Sequence, residues 1–225
     1  MADAQDNKLP STRVVLVAGA PLSGKTTAAR SIGRQLAMPV IATDHLGEAA
    51  RAVTDPVSHG DLHACSLGDY RKYFTSYLPE QLLEHALRAH QALWPAIEAV
   101  IRRRLDWEGP AVIEGWALLP NLVARIKSPN LHSVWIEAPE SVLISRLQAQ
   151  PGFVRGADDP SLLNERFVAR SICMTAWLRE QTSACGLPSV VLSGLESPDE
   201  VSSLCLKAMG IAPAVVDHCA PELRH

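Results

Sequence analysis

Gly19-Ala20-Pro21-Leu22-Ser23-Gly24-Lys25-Thr26 has the G-x-x-x-x-G-K-[ST] spacing of a phosphate loop. Its flanks fit that reading. Val14-Val15-Leu16-Val17-Ala18 is an apolar, β-branched run that predicts a buried strand, and Thr26 to Ala37 predicts a helix. Glycines let the backbone curl so that successive N–H groups converge on phosphate oxygens. The start of the helix adds partial positive charge. Lys25 is placed to reach the β- and γ-phosphates, and the Thr26 hydroxyl to ligate Mg²⁺. The nucleotide-binding candidates are therefore Gly19, Ala20, Pro21, Leu22, Ser23, Gly24, Lys25, Thr26 and Thr27.

The rest of the chain limits what such a loop serves. At 225 residues, with 47% apolar and 20% charged residues, the chain fits one globular domain. A net charge of −3 gives no electrostatic footprint for nucleic acid or an anionic membrane. The one dense basic cluster, Arg102-Arg103-Arg104, falls at a predicted helix end, where it favours the dipole. Met1 to Ser11 is polar, unlike a signal peptide, and no apolar run is long enough to span a bilayer. Cys65, Cys173, Cys185, Cys205 and Cys219 are odd in number and scattered, which predicts reduced thiols and a cytoplasmic protein. His59 and His63 are four apart, but the intervening residues are loop-like and no third metal ligand accompanies them.

Short apolar runs alternate with longer helical stretches, the pattern of a parallel sheet covered on both faces. The expected strands are Arg13–Ala18, Val40–Thr43, Ala111–Glu114, Ser133–Ile136 and Ser189–Leu192. Asp159-Pro160 and Ser197-Pro198 each place a cap before a first-turn proline. Pro79 opens a helical segment towards Leu105, with a kink or a break into two helices expected at Pro95. Residues 53–68 read as a loop. The expected organisation is a disordered segment 1–12, a domain over 13–210 and a tail over 211–225 that is an irregular strap or disordered.

A phosphate loop alone does not choose among its possible chemistries. The guanine-specifying N-K-x-D pattern is absent, and Asp44-His45-Leu46-Gly47, a D-x-x-G match, comes too early for a GTPase. The third strand ends in Glu114, not in the Asp or Asp-Glu of motor-type ATPases. A phosphotransferase is the favoured class. Asp44, closing the second strand, is placed to hold a Mg²⁺-bound water or accept a proton from a substrate hydroxyl, with a helix N-cap as its structural alternative. Glu114 occupies the same sheet edge and is expected to serve metal or substrate. Arg146, Arg155, Arg166 and Arg170 follow the fourth strand and form a candidate set of charges for a transferring phosphoryl group, the alternative being a solvated face. Residues 146–170 are the expected lid, hinged on the glycines and prolines of 150–159.

Three segments together resemble the nucleoside-monophosphate-kinase group of small-molecule kinases, and within it 2-phosphoglycerate kinase. They are Gly19–Thr26, the stretch Thr43-Asp44-His45-Leu46-Gly47-Glu48-Ala49-Ala50-Arg51, and Val112-Ile113-Glu114-Gly115-Trp116-Ala117-Leu118-Leu119-Pro120. The resemblance covers roughly residues 13–137. It implies a three-layer α/β/α fold, a five-stranded parallel sheet in the order 2-3-1-4-5, a short helical lid, ATP and Mg²⁺. It also implies transfer to a hydroxyl of a small, often anionic acceptor by a monomer or homodimer. Carried onto this chain, Asp44 and Arg51 face the acceptor, with Glu114, Gly115 and Arg155 beside it, and Thr26, Asp44 and Glu114 serve the metal. Arg146 lies against adenine and phosphates, and Lys25, Asp44, Arg146, Arg166 and Arg170 form the catalytic set. Residues 45–78 are expected to shape the acceptor pocket, with His59, Asp61, His63 and Tyr70 as polar contacts. The chain departs from the family at Gly47, where Arg is common, and at His45 and Trp116. Two other readings remain: a regulatory ATPase or switch, and a related toxin group that phosphorylates nucleotide sugars.

Overall fold

The computed structural model describes residues 12–65 and 68–211, so the expectations for the N-terminal segment and tail fall outside it except at Thr12 and Ile211. Both of those residues are buried, and Ile211 packs in the core.

Five strands form one parallel sheet: β1 Val14–Gly19, β2 Val40–Ala42, β3 Ala111–Gly115, β4 Leu131–Glu137 and β5 Ser189–Val191. Their order is β2-β3-β1-β4-β5. Side chains alternate across a strand, which builds two apolar layers. Val14 and Leu16 of β1 face one cluster with Ile97, Ile101, Trp135 and Met174, while Val15 and Val17 face another with Ala29, Ile32, Val134 and Leu206. Each fully buried Val or Leu is worth about 1.5–3 kcal/mol. β1 and β3 read as unbroken apolar runs because both faces are covered.

Helices fill both layers. α1 is Lys25–Gln35, α2 Thr43–Ala52, α3 Gly60–His63, α4 Tyr70–Ser76 and α5 Pro79–Asp106. α6 is Pro120–Val123, α7 Glu140–Gln148, α8 Pro160–Ala184 and α9 Pro198–Ala208, with a 3-10 turn at Pro151–Val154 before α8. The caps act as the sequence implies. Asp159 accepts from the Leu162 amide at 2.9 Å, and Ser197 and Glu200 cap each other's backbone in a capping box.

Two local expectations need correcting. Of the two outcomes expected at Pro95, the break does not occur: Pro95 lies inside one helix of 28 residues, and the burial of Leu93, Trp94 and Ile97 around it outweighs the lost backbone bond. The segment read as a loop contains α3, whose Leu62 is buried in the core cluster that α5 shares. At the carboxyl edge of the sheet Val17 of β1 and Ala42 of β2 both pair with Glu114 of β3. That register assembles the site.

Candidate active site

The phosphate loop leaves β1 at Gly19 and enters α1 through Gly24, whose left-handed φ of 94° suits glycine. The start of α1 carries neither an acidic residue in its first turn nor a capping side chain. Its first N–H groups lack helical partners, as at any helix start, so they are available to an anion. Lys25 is buried, and burial lowers its pKa; the neighbouring charges of Glu114 and Asp44 oppose that shift.

Glu114 is buried at the end of β3. Thr26 Oγ1 donates to its Oε1 at 3.1 Å, while its Oε2 is sealed from solvent with no partner. Burial raises the Glu114 pKa, against the pull of Lys25 and the Thr26 hydrogen bond. A buried carboxylate oxygen left over beside a phosphate-loop threonine fits a hard, oxygen-seeking cation such as Mg²⁺.

Asp44 stands one residue inside α2. The helix begins at Thr43, directly after β2, and its N-cap is Ala42 with no side-chain cap. The N-cap alternative for Asp44 therefore fails, because the chain turns from strand into helix two residues too early. Its Oδ1 instead accepts the indole N–H of Trp116 at 3.1 Å. Gly115 allows this approach of β3 and α2: a Cβ there would stand 1.6 Å from Thr43 Oγ1.

Two cavities meet this cluster. The larger, about 640 Å³, is lined by the phosphate-loop residues Leu22, Gly24, Lys25, Thr26 and Thr27, and beyond them by Arg146, Gln150, Leu192, Glu196 and Val201. Arg146 Nη1 donates to the Leu22 carbonyl at 2.8 Å. Glu196 accepts from the Ser193 and Gly194 amides at 2.8 and 2.9 Å, fixing the far wall. These hydrogen bonds hold the Glu196 pKa down to about 2.

The second cavity, about 280 Å³, is lined by Thr43, Asp44, Gly47, Glu48, Arg51, Cys65, Ala89, His90, Leu93, Trp116 and Ala117. Arg51 pairs with Glu48 at 2.7 Å and lies against Gly47, whose missing side chain leaves it room. Behind Trp116 lies Arg170 of α8, only 4% exposed. Its guanidinium stacks on Trp116, Phe74 and Phe167 at 4.7–4.9 Å. It makes no ion pair among the described residues, and its Nε has no partner. Burial pushes its pKa down to about 10.

The structure thus brings Lys25, Thr26, Asp44, Arg51 and Arg146 to the two cavities, with Glu114 held behind Thr26 by its hydrogen bond. Arg170 sits beside the second, behind Trp116 and near enough to Lys25 for its charge to lower that pKa, and Arg166, one turn earlier, is half-buried with an unpartnered Nε. Arg155 is exposed and lines neither cavity. The four polar contacts expected of the acceptor pocket also fall elsewhere, because α3 and α4 and their flanks turn their polar groups to other partners; the second cavity takes Cys65 from this stretch instead. His59 meets Ser58 at 2.9 Å, Asp61 pairs with Arg88 at 3.8 Å, His63 meets Thr54 at 3.0 Å, and Tyr70 donates to the Phe153 carbonyl at 2.6 Å. His90 and Glu196 escaped sequence reasoning. A single histidine on an amphipathic helix has no pattern to betray it, whereas Ser193-Gly194-Leu195-Glu196 does spell a turn.

A parallel sheet in this order, with the phosphate loop between its central strand and first helix, defines the P-loop α/β/α fold. No family model and no curated protein matches the chain. Solved structures do. TT1252 from Thermus thermophilus is 19% identical, with 88% of this chain and 95% of that one covered and a TM-score of 0.51. An uncharacterized protein from Eubacterium ventriosum is 12% identical, with 88% and 99% covered and a TM-score of 0.50. A gluconokinase from Sinorhizobium meliloti is 20% identical, with 89% and 92% covered and a TM-score of 0.48. At these identities the likeness is one of fold. Among the described residues no helix is long and apolar enough to cross a membrane.

Proposed function

We propose that the protein is a cytosolic, ATP- and Mg²⁺-dependent kinase that transfers the γ-phosphoryl group to a hydroxyl of a small, anionic metabolite. One observation carries the reading: a phosphate-loop cavity lined by Lys25 and a second, smaller cavity lined by Asp44 lie on either side of charges that act on one another, since Asp44 and Glu114 both raise the Lys25 pKa against its burial. A regulatory ATPase has no need of the second cavity. Its 280 Å³ falls at the low end for ligand pockets, which favours a small metabolite over a nucleotide sugar.

In this reading the loop amides and Lys25 hold the phosphates, and Arg146 covers them from the proposed lid. Thr26 and Glu114 would hold Mg²⁺, with Asp44 nearby; the ion, when bound, offsets the charge of the phosphate oxygens. The Asp44 oxygen not engaged by Trp116 takes the proton from the acceptor hydroxyl. The acceptor's hydroxyl oxygen, not the carboxylate, forms the new bond to the γ-phosphorus as the bond from that phosphorus to the β–γ bridging oxygen breaks, and ADP leaves with the bridging oxygen. Arg51, from the cavity wall, and Arg170, from behind Trp116, anchor the acceptor's anionic group; for Arg170 a buried guanidinium with no carboxylate partner among the described residues is costly until an anion supplies one. A 2-phosphoglycerate-like acceptor meets these requirements.

The test is ADP release with ATP and Mg²⁺ across a panel of 2-phosphoglycerate, gluconate, shikimate and nucleosides. Stimulation by one acidic acceptor well above the water background supports the kinase. Tight ATP binding without acceptor-dependent turnover overturns it.

A further inference from the structure

The second cavity holds a polar group that this scheme leaves unused. His90, midway along α5, lines it and is only 5% exposed. Neither ring nitrogen has a hydrogen-bond partner among the described residues, and Nδ1 is sealed from solvent. The imidazole is held edge-on to Trp116, with centroids 4.2 Å apart and planes at 86°, so its direction is fixed by packing. Burial, reinforced by the charges of Arg170, Arg51 and Lys25, pushes its pKa down to about 3. The ring is therefore neutral, with one N–H to donate and one lone pair to offer.

Buried polar groups in folded proteins are paired almost without exception, so an orphaned imidazole in a ligand cavity calls for a partner from the ligand. A carboxylate or phosphate is served better by the guanidinium groups nearby. A hydroxyl both donates and accepts, so it satisfies either tautomer. The hydroxyl to be phosphorylated is engaged by Asp44, so His90 needs a different one.

We infer that His90 reads a second hydroxyl of the acceptor, making it a specificity residue that selects polyhydroxylated acids over acids with a single hydroxyl. The inference rests on the kinase reading and narrows it. A one-hydroxyl acid such as 2-phosphoglycerate occupies Asp44 and Arg51 but leaves His90 unpaired.

The experiment compares wild type, His90→Phe and His90→Asn on gluconate and shikimate, on their monodeoxy analogues, and on 2-phosphoglycerate. In wild type, loss of one particular hydroxyl is expected to lower kcat/KM by roughly 10–100-fold. In His90→Phe, which keeps a ring against Trp116, that penalty should shrink to about threefold or less, with the change in KM and not in kcat. His90→Asn, which keeps a donor and an acceptor, should restore part of it. Equal deoxy penalties in all three proteins, or a wild type that prefers 2-phosphoglycerate, overturn the inference while leaving the kinase intact. If His90→Phe does not fold, wild type and His90→Asn decide the point by the same comparison. A wild type that phosphorylates nothing in the panel removes the kinase reading and this inference with it.

Discussion

The indole N–H of Trp116 donates to Oδ1 of Asp44 at 3.1 Å, joining the end of β3 to the first turn of α2. The bond occupies one carboxylate oxygen and aims the other. Trp116→Phe removes the donor and keeps most of the ring. We expect kcat to fall about tenfold with little change in ATP affinity, because a hydrogen bond to a charged group is worth roughly 1.5–3 kcal/mol. Asp44→Asn should cost about 10²–10⁴-fold in kcat. Steady-state kinetics on both variants and on the double variant check this: if Trp116 acts through Asp44, its effect vanishes in the Asp44→Asn background.

Arg170 stacks on three aromatic rings without an ion pair, so its packing and its charge are separable. Arg170→Met keeps much of the packing. Acceptor KM should rise roughly 10–100-fold while nucleotide affinity stays within twofold. Isothermal titration with ATP beside acceptor kinetics reads both, and an equal loss in the two would count against an acceptor role.

Glu114 is the carboxylate with an oxygen to spare beside Thr26. Glu114→Gln keeps the shape and removes the charge. The Mg²⁺ concentration for half-maximal turnover should rise about 10–100-fold. A magnesium titration at fixed ATP measures it, and an unchanged midpoint would exclude Glu114 from metal binding.

Gly115 has no space for a side chain, since a Cβ would lie 1.6 Å from Thr43 Oγ1. Gly115→Ala must push α2 away from β3. The expected cost is above about 2 kcal/mol, or roughly 5–10 °C in Tm for a chain this long. Thermal unfolding by circular dichroism tests it; Gly109→Ala, where the space is open, serves as the control.

His90 also gives stability a pH dependence. Its pKa is about 3 in the folded protein against an ordinary value of 6.5. Below pH 6.5 the unfolded chain takes up a proton that the native state refuses, so stability falls as pH drops towards 3 and is regained above 6.5. By pH 4 the loss from this group is roughly 3 kcal/mol. Urea unfolding from pH 7 to 4 should show a steeper decline for wild type than for His90→Phe.

The sheet was legible because β1 and β3 carry short, β-branched apolar runs closed by glycine, alternating with longer helical stretches, and the phosphate loop because its chemistry dictates its spacing. Asp44 and Glu114 were legible for a related reason: each sits at or just past a strand end, and parallel strands gather their carboxyl ends at one edge. Arg51, at the end of α2, was legible only through the resemblance. The acceptor side was less so: nothing in the pattern singles out His90, and the position of Arg170 groups it with the charges for the transferring phosphoryl group and not beside the second cavity. Both lie deep within long helices, and which helical face meets a cavity depends on packing between elements distant in the chain. Arg155 shows the converse. Its position groups it with the other arginines that follow the fourth strand, yet the segment after α7 leaves it exposed and lining neither cavity.

That segment is fastened to α4 in an unusual manner. Tyr70 and Arg71 donate to the carbonyls of Phe153 and Arg155, at 2.6 and 2.9 Å, so both bonds to the turn end on main-chain oxygens. Every amino acid supplies such an oxygen. The stretch after α7 is consequently free to change its side chains without losing these two bonds, while Tyr70 and Arg71 have no such licence. Evolutionary latitude at this rim of the protein is one-sided.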